Sequence, residues 1–299
     1  MGLFHAAVVS SLDLVPHFLM RRLAGRYIAG ERVEEALDRM EALRARGYPS
    51  IIDVLGEDVR DEAEARAVVQ AYREASDGVA ARGLDAYVSV KPTHVGLTMS
   101  EDLCFDLYSE IAQHAAGHGQ FLRVEMEDAS TTDGTLRVYE RLRAVHANVG
   151  IVLQARLFRT PDDVAALSEV EHDVRLVKGI YLEPAEIAHT EAGPIRDALL
   201  ALARQLWERG AKLSLATHDA PMAEDLLRLA RELEVGSDRY EFQVLLGVQE
   251  GLWERWKQAG HQVRVYVPYG PEWRAYSTRR LRHNPQILGH VMRATFGLS

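Results

Sequence analysis

A single cysteine, Cys104, stands among 299 residues, which excludes an internal disulfide and fits a reducing compartment. No apolar run approaches membrane-spanning length, and no basic segment precedes the short apolar run near the N-terminus. Neither a spanning helix nor a secretory leader is therefore expected. Basic residues are in deficit, with 35 Lys and Arg against 44 Asp and Glu and a formal charge of −9. Such a chain makes no general positive field and is not expected to bind nucleic acid. A cytoplasmic location is the simplest expectation, with peripheral contact to a membrane left open.

What is present is a regular alternation. Residues 1–46 read as an N-terminal helical arm: Leu14, Phe18 and Leu23, then Val33, Ala36, Leu37, Met40 and Leu43, recur at helical spacing with no strand pattern between them. Arg46-Gly47-Tyr48-Pro49 ends the arm. From 47 to 299, short apolar runs follow at Ile51–Leu55, Tyr87–Val90, Phe121–Met126, Gly150–Leu153, Val174–Val177, Leu213–Ala216, Tyr240–Leu246 and Val263–Val267. Helical segments separate them, the first predicted over Glu62–Ala75 and the last over Glu250–Gln258. Strands alternating with helices imply a parallel sheet with right-handed crossovers. Eight such units in this length fit an α/β fold of the (β/α)8 TIM-type barrel class. An open doubly wound sheet is the alternative, but no glycine-rich first turn of the dinucleotide-binding type supports it.

A barrel carries its site at the C-terminal ends of its strands. Those ends read Glu57, Lys91, Glu125 to Asp128, Gln154, Arg175 with Lys178-Gly179, Thr217-His218-Asp219, Glu241 with Gln243, and Tyr266. Charged and amide groups are poor core material, so their gathering at one rim points to a binding site. After the last strand, Pro268 and Gly270 break the pattern and Pro271-Glu272 opens a helix. On it Tyr276, Arg279, Arg280 and His283 share one broad face. Two adjacent guanidiniums there suit bidentate capture of a carboxylate or phosphate.

Several chemistries can use such a rim. A metal centre needs converging His, Asp and Glu, and the 12 histidines are scattered, with only His218 at a strand end. No metal is expected. A Schiff-base lysine is possible at Lys91 or Lys178 if burial removes the charge. Against that, Arg175 and the Arg279/Arg280 pair suggest an anionic ligand. A flavin fits the mixture, with cations for its phosphates and amides such as Gln154 and Gln243 for its heterocycle edges.

At this point the residues carry a resemblance. The chain resembles the proline dehydrogenases, in their compact monofunctional bacterial form, through Leu55-Gly-Glu57, Val88-Ser-Val-Lys91, Glu125-Met-Glu-Asp128, Ile151-Val-Leu-Gln154, Arg175-Leu-Val-Lys-Gly-Ile-Tyr181, Ala216-Thr-His-Asp219, Glu241-Phe-Gln243 and Tyr266-Val-Pro-Tyr-Gly270 through Arg279-Arg280. The pieces occur in the family's order from about residue 25 onward. The resemblance implies FAD-dependent oxidation of L-proline to Δ1-pyrroline-5-carboxylate, with electrons passed to a quinone. It implies that Arg279, Arg280 and Lys91 hold the substrate carboxylate, that Tyr276 and Leu245 pack on its ring, and that Tyr266 borders the reacting carbon. It also implies that Arg175 hydrogen-bonds the flavin, that Met126, Gln154, Lys178, Gly179, Ile180, Thr217 and His218 contact it, and that Glu57 pairs with Arg279 as a gate.

Three positions depart from that family's pattern: Glu125 where Asp is usual, Ile180 where Ala is usual, and His283 where a Glu meets the substrate amine. A histidine lacks the fixed negative charge of that Glu. The alternatives are thus a dehydrogenase of a related cyclic or secondary amine, a non-catalytic binder of flavin or amino acid, and a lysine Schiff-base lyase on the same barrel.

Overall fold

The structure, a computed structural model, describes residues 25–169, 171–274, 276 and 277. Eight parallel strands close into a barrel: β1 Ser50–Val54, β2 Ala86–Val90, β3 Leu122–Val124, β4 Val149–Gln154, β5 Asp173–Val177, β6 Lys212–Ala216, β7 Tyr240–Leu245 and β8 Val263–Tyr269. Helix α1, Val33–Ala45, leads in. Helices α2 Glu62–Ala81, α3 Glu101–Gly117, α4 Thr132–Val145, α5 Thr160–Ala166, α6 Ala192–Glu208, α7 Ala220–Glu232 and α8 Glu250–Gln258 follow the first seven strands in turn. The (β/α)8 expectation holds. The open sheet does not, because β1 pairs with β8 from Ser50 opposite Val265 to Val54 opposite Tyr269.

Local chemistry explains where the helices begin. Asp61 accepts from Glu64 N at 2.9 Å, Ser100 from Leu103 N at 3.3 Å and Asp219 from Met222 N at 3.1 Å, each capping the helix it precedes. Their apolar stripes, such as Val68, Val69, Tyr72 and Val79 on α2, are buried against the strands. Helices cover the outside of the sheet, so the strands carry apolar side chains outward as well. Among the described residues no helix is both long and apolar enough to cross a membrane.

The barrel interior is polar instead of being filled by aliphatic layers. Four cations lie inside it, each beside a carboxylate. Arg123 Nη2 reaches Asp173 Oδ1 at 2.5 Å, Arg264 Nε reaches Glu241 Oε1 at 3.0 Å, Arg175 pairs with Glu125, and Lys91 Nζ lies 3.7 Å from Asp53 Oδ1. Charges this buried survive only when paired and hydrogen-bonded. Gly150 makes room for one of them: a Cβ there would stand 2.6 Å from Arg123 Nη1 and 2.4 Å from Asp173 O.

The expected arm is helical only in part. Residues 28–32 are not helical, because their backbone is drawn to the end of β8: Ala29 N donates to Pro268 O at 2.9 Å, and Gly270 N donates to Gly30 O at 3.0 Å. Residues 1–24 lie outside the described part of the chain. Helix α1 buries Ala36, Leu37, Met40 and Leu43 and packs on β8 and β1. Strand β8 runs on through Pro268 to Tyr269 rather than breaking there, since the proline's carbonyl is the group used. Helix α2 continues to Ala81, beyond the expected Ala75, because Val79 extends its buried stripe. Strand β3 is shorter than expected: Glu125 N still donates to Val90 O at 2.9 Å, and the chain leaves the strand after it.

Candidate active site

Arg175 stands at the centre of the mouth. Burial opposes its charge, but the Glu125 carboxylate beside it holds the guanidinium pKa above its ordinary value. Its Nε donates to Gln243 Oε1 at 2.6 Å, its Nη1 reaches Glu125 Oε1 and, at 3.3 Å, Ser89 Oγ, and it lies 5.2 Å from the Tyr266 ring centroid. Its Nη2 is buried with no hydrogen-bond partner among the described residues. Glu125 Oε1 also accepts from Ser89 Oγ at 2.5 Å and from Tyr266 Oη at 3.1 Å. Burial alone would raise the Glu125 carboxyl; Arg175, Ser89 and Lys91 outweigh it and hold the group below the usual carboxylate range. The catalytic residues expected from the sequence, Glu125, Arg175 and Tyr266, are thus one hydrogen-bonded unit.

Lys91 lies next to this unit, donating to Gly56 O at 3.3 Å. Desolvation pulls its pKa down, but Asp53, Glu125 and Glu127 overcome that, so the net direction is upward. A Schiff-base lysine must be neutral to attack, and this one holds its charge. Lys178, the other candidate, donates to Asp219 Oδ2 at 2.8 Å on the rim. Lys91 is therefore unsuited to the lyase alternative. Burial pushes the Asp53 carboxyl up to about 6 and the Glu127 carboxyl up to about 7, although Glu127 accepts from Thr93 N at 2.9 Å and Thr93 Oγ1 at 2.8 Å.

The remaining rim residues lie around this centre. Gln154 is buried and donates from Nε2 to Glu127 O at 2.7 Å. Gly179 has φ +98, and a Cβ there would meet Arg156 Cγ at 2.8 Å and Gln154 Oε1 at 2.9 Å. Thr217 Oγ1 accepts from Asp219 N at 3.1 Å, and His218 Nε2 accepts from Leu245 N at 3.1 Å. Met126 is buried, Leu245 half-buried, and Ile180 projects at 72% exposure. Glu57 is half-buried and near enough to Glu127 to help raise its carboxyl. Tyr276, also half-buried, acts electrostatically on both Lys91 and Tyr266. Arg279, Arg280 and His283 lie outside the described residues.

One expectation needs correction. Gln243 is not a free amide for a heterocycle edge: its Nε2 faces Tyr87 Oη at 2.6 Å, Glu241 Oε1 at 2.6 Å and Ser214 Oγ at 2.8 Å, and its Oε1 accepts from Arg175. Its hydrogen-bonding groups are taken up inside the barrel. Sequence reasoning also missed Asp53 and Ser89. The period-two pattern held the signal, since Tyr87, Ser89 and Lys91 alternate with Val88 and Val90 and so face inward together.

Comparison with known proteins agrees with this geometry. A sequence model of the family described as Proline dehydrogenase matches residues 36–293. The Proline dehydrogenase of Deinococcus radiodurans is 33% identical over 278 residues, covering 91% of this chain and 90% of that one. Proline dehydrogenase 1 of Bacillus subtilis is 30% identical over 270 residues, covering 90% of this chain and 89% of its own. Among solved structures, proline utilization A from Bdellovibrio bacteriovorus, inactivated by N-propargylglycine, shares the fold with a TM-score of 0.82. Its identity is 24%, over 91% of this chain and 34% of that longer one. Matched by the family model over most of its length, and by relatives that it spans almost end to end, the chain belongs to the proline dehydrogenase family.

Proposed function

We propose that this protein oxidises L-proline to Δ1-pyrroline-5-carboxylate, with FAD as its cofactor and a quinone as the electron acceptor. The observation that carries the reading is the buried Arg175–Glu125–Tyr266 unit, whose Arg175 Nη2 has no hydrogen-bond partner among the described residues. An unsatisfied buried guanidinium nitrogen suits an acceptor atom of a ligand, and Gly179 gives a backbone free of any Cβ above Gln154 and Arg156. These features fit a flavin. Arg175, Met126, Gln154, Lys178, Gly179, Ile180, Thr217 and His218 would hold it. FAD, when bound, supplies the two-electron acceptor for the hydride that leaves the carbon beside nitrogen.

The chain's own part is positioning. Lys91, kept cationic by Asp53 and Glu125, joins Arg279 and Arg280 in holding the substrate carboxylate. Tyr276 and Leu245 pack on the ring, and Tyr266, tethered to Glu125 at 3.1 Å, borders the reacting carbon. Fixing the carboxylate at several points sets the carbon's place and excludes water, which is catalysis by orientation. His283 meets the substrate nitrogen as a hydrogen-bond acceptor. Glu57 pairs with Arg279 to close the site; the pairing of β1 with β8 supports this, because it makes their ends neighbours. In this reading residues 1–46 are an N-terminal arm and 47–299 the catalytic barrel, in a cytoplasmic enzyme that reaches its quinone by peripheral membrane contact.

The test is anaerobic titration of the yellow, flavin-loaded protein. L-Proline should bleach the flavin band, and o-aminobenzaldehyde should trap the product. Bleaching by pipecolate or hydroxyproline but not by proline would assign the site to another cyclic amine. A colourless protein that takes up no FAD would sink the reading altogether.

A further inference from the structure

The seam between α2 and α3 carries a group that this chemistry does not use. Asp77 stands near the end of α2, His114 lies in the last turn of α3, and His118 is the C-cap of α3. Four residues apart, the two rings leave the helix on the same side. Asp77 Oδ1 lies 2.7 Å from His114 Nε2 and 2.7 Å from His118 Nε2. The three ligand atoms all lie within 4.8 Å of one another, and the rings stand edge to face with centroids 5.2 Å apart. Both imidazoles thus aim the same nitrogen at the one carboxylate oxygen.

A simple hydrogen-bonded cluster is the competing account, and three features favour a cation. The first is the donor set. Two imidazole nitrogens and one carboxylate oxygen suit Zn2+ and its late first-row neighbours, and suit the all-oxygen cations Mg2+ and Ca2+ poorly. The second is fit. Tetrahedral Zn2+ with bonds of about 2.0–2.1 Å spaces its ligand atoms roughly 3.3 Å apart, so each side chain need open only slightly to admit it. The third is the support beneath. Buried Ser76, next to Asp77, donates to Gln120 Oε1 at 2.7 Å, and Gln120 Nε2 returns a bond to Ser76 O at 2.9 Å. That reciprocal pair locks the spacing of α2 and α3 directly below the cluster. The side chains of Asp77, His114 and His118 are 56%, 22% and 34% exposed, so an ion has a path in from water.

We propose that Asp77, His114 and His118 form a structural binding site for a late first-row divalent cation, Zn2+ in the first instance, with water in the fourth position. Helices of a barrel run back against the strand direction, so the ends of α2 and α3 lie at the base, away from the mouth. Residues at that face serve stability rather than chemistry. The ion fastens α2 to α3 and takes no part in proline oxidation.

The flavin-loaded, chelator-stripped protein is titrated with Zn2+ by calorimetry while its melting temperature is followed. One equivalent should bind, and Zn2+ at a hundredfold excess over its Kd should raise the melting temperature by about 5 °C. His114→Ala and His118→Ala should each weaken binding at least about tenfold, by the usual effect of losing one of three protein ligands. Asp77→His keeps a ligand and should retain binding, and His146→Ala serves as a control that leaves it unchanged. Unaltered flavin content shows that each variant is folded. No saturable binding to the parent protein, or binding that survives the double substitution of His114 and His118, would overturn the proposal.

Discussion

The Gln243 carboxamide holds Arg175 by its Nε: the amide Oε1 accepts from Arg175 Nε at 2.6 Å, while its Nε2 faces Tyr87, Glu241 and Ser214. One amide thus connects the Arg175–Glu125 ion pair to the pair that Glu241 makes with Arg264. Gln243→Leu keeps the volume and removes every one of these bonds. Each buried polar group left without a partner costs about 1–3 kcal/mol, so a loss of roughly 3 kcal/mol is expected in urea unfolding. A variant as stable as the parent would mean that water replaces the amide.

Glu125→Gln removes the carboxylate that pairs with Arg175 while leaving an oxygen for Ser89 and Tyr266. Leaving a buried charge without its partner costs about 3–5 kcal/mol. The retained amide oxygen places the expected loss at the low end. Proline-driven bleaching of the flavin should slow by roughly a hundredfold, as when one preorganised charged contact is lost, with flavin content near that of the parent. Rapid-mixing absorbance measures both quantities. Unchanged bleaching would remove Glu125 from the machinery.

Glu127 sets a dependence of stability on pH. Its carboxyl has an ordinary value of 4.5 and is pushed up to about 7 by burial. Between those values the folded chain holds a proton that the unfolded chain has released. Stability from this group is therefore complete below pH 4.5, declines as pH rises through 7, and is flat above that. At about 1.4 kcal/mol per pH unit the whole effect is at most about 3.5 kcal/mol. Asp53, pushed up to about 6, acts in the same direction, whereas the lowered carboxyl of Glu125 acts in the opposite one. Glu127→Gln should flatten the fall in stability between pH 5 and pH 8, read from urea midpoints. An identical slope in the variant would contradict the assignment.

Gly179→Ala tests the space above Gln154. The added methyl meets Arg156 and Gln154 at under 3 Å, in a backbone at φ +98. Strain of this kind costs about 1–3 kcal/mol. Flavin per mole of protein, measured after gel filtration, should fall while the protein stays folded by circular dichroism. Full flavin occupancy would show that this turn does not border the cofactor.

The eight strands were legible in the sequence because each is a short apolar run between helical segments, and their limits agree to within one residue except at β3 and β8, whose ends differ by two. Those two miss for physical reasons. At β3 the chain leaves the strand after Glu125 and turns Glu127 to Thr93, a choice made by the site and not by residue preference. At β8 a proline reads as a breaker, yet its carbonyl is the group that pairs with Ala29. The grouping of Glu125, Arg175 and Tyr266 was visible as polar residues at strand ends. Asp53 was hidden in an apolar run, and the partners of Gln243 depend on strand stagger, which no local pattern encodes. The histidines looked scattered because only the packing of α2 on α3 brings His114 and His118 to Asp77.

The flank between β8 and β1, which in a barrel of simple repeats belongs to the helix after the last strand, is covered here by α1. The covering piece is therefore made first and its seat last. Strand β8 emerges roughly 220 residues after α1, which at about 5–20 residues per second is some 10–40 s of synthesis. During that interval Leu37, Met40 and Leu43 can meet β1 and α2 but lack β8, the last part of their seat. Contacts this distant in sequence also make for slow closure once the chain is free. Closure thus waits for the final strand, and a chain cut short before residue 263 has no route to a closed barrel.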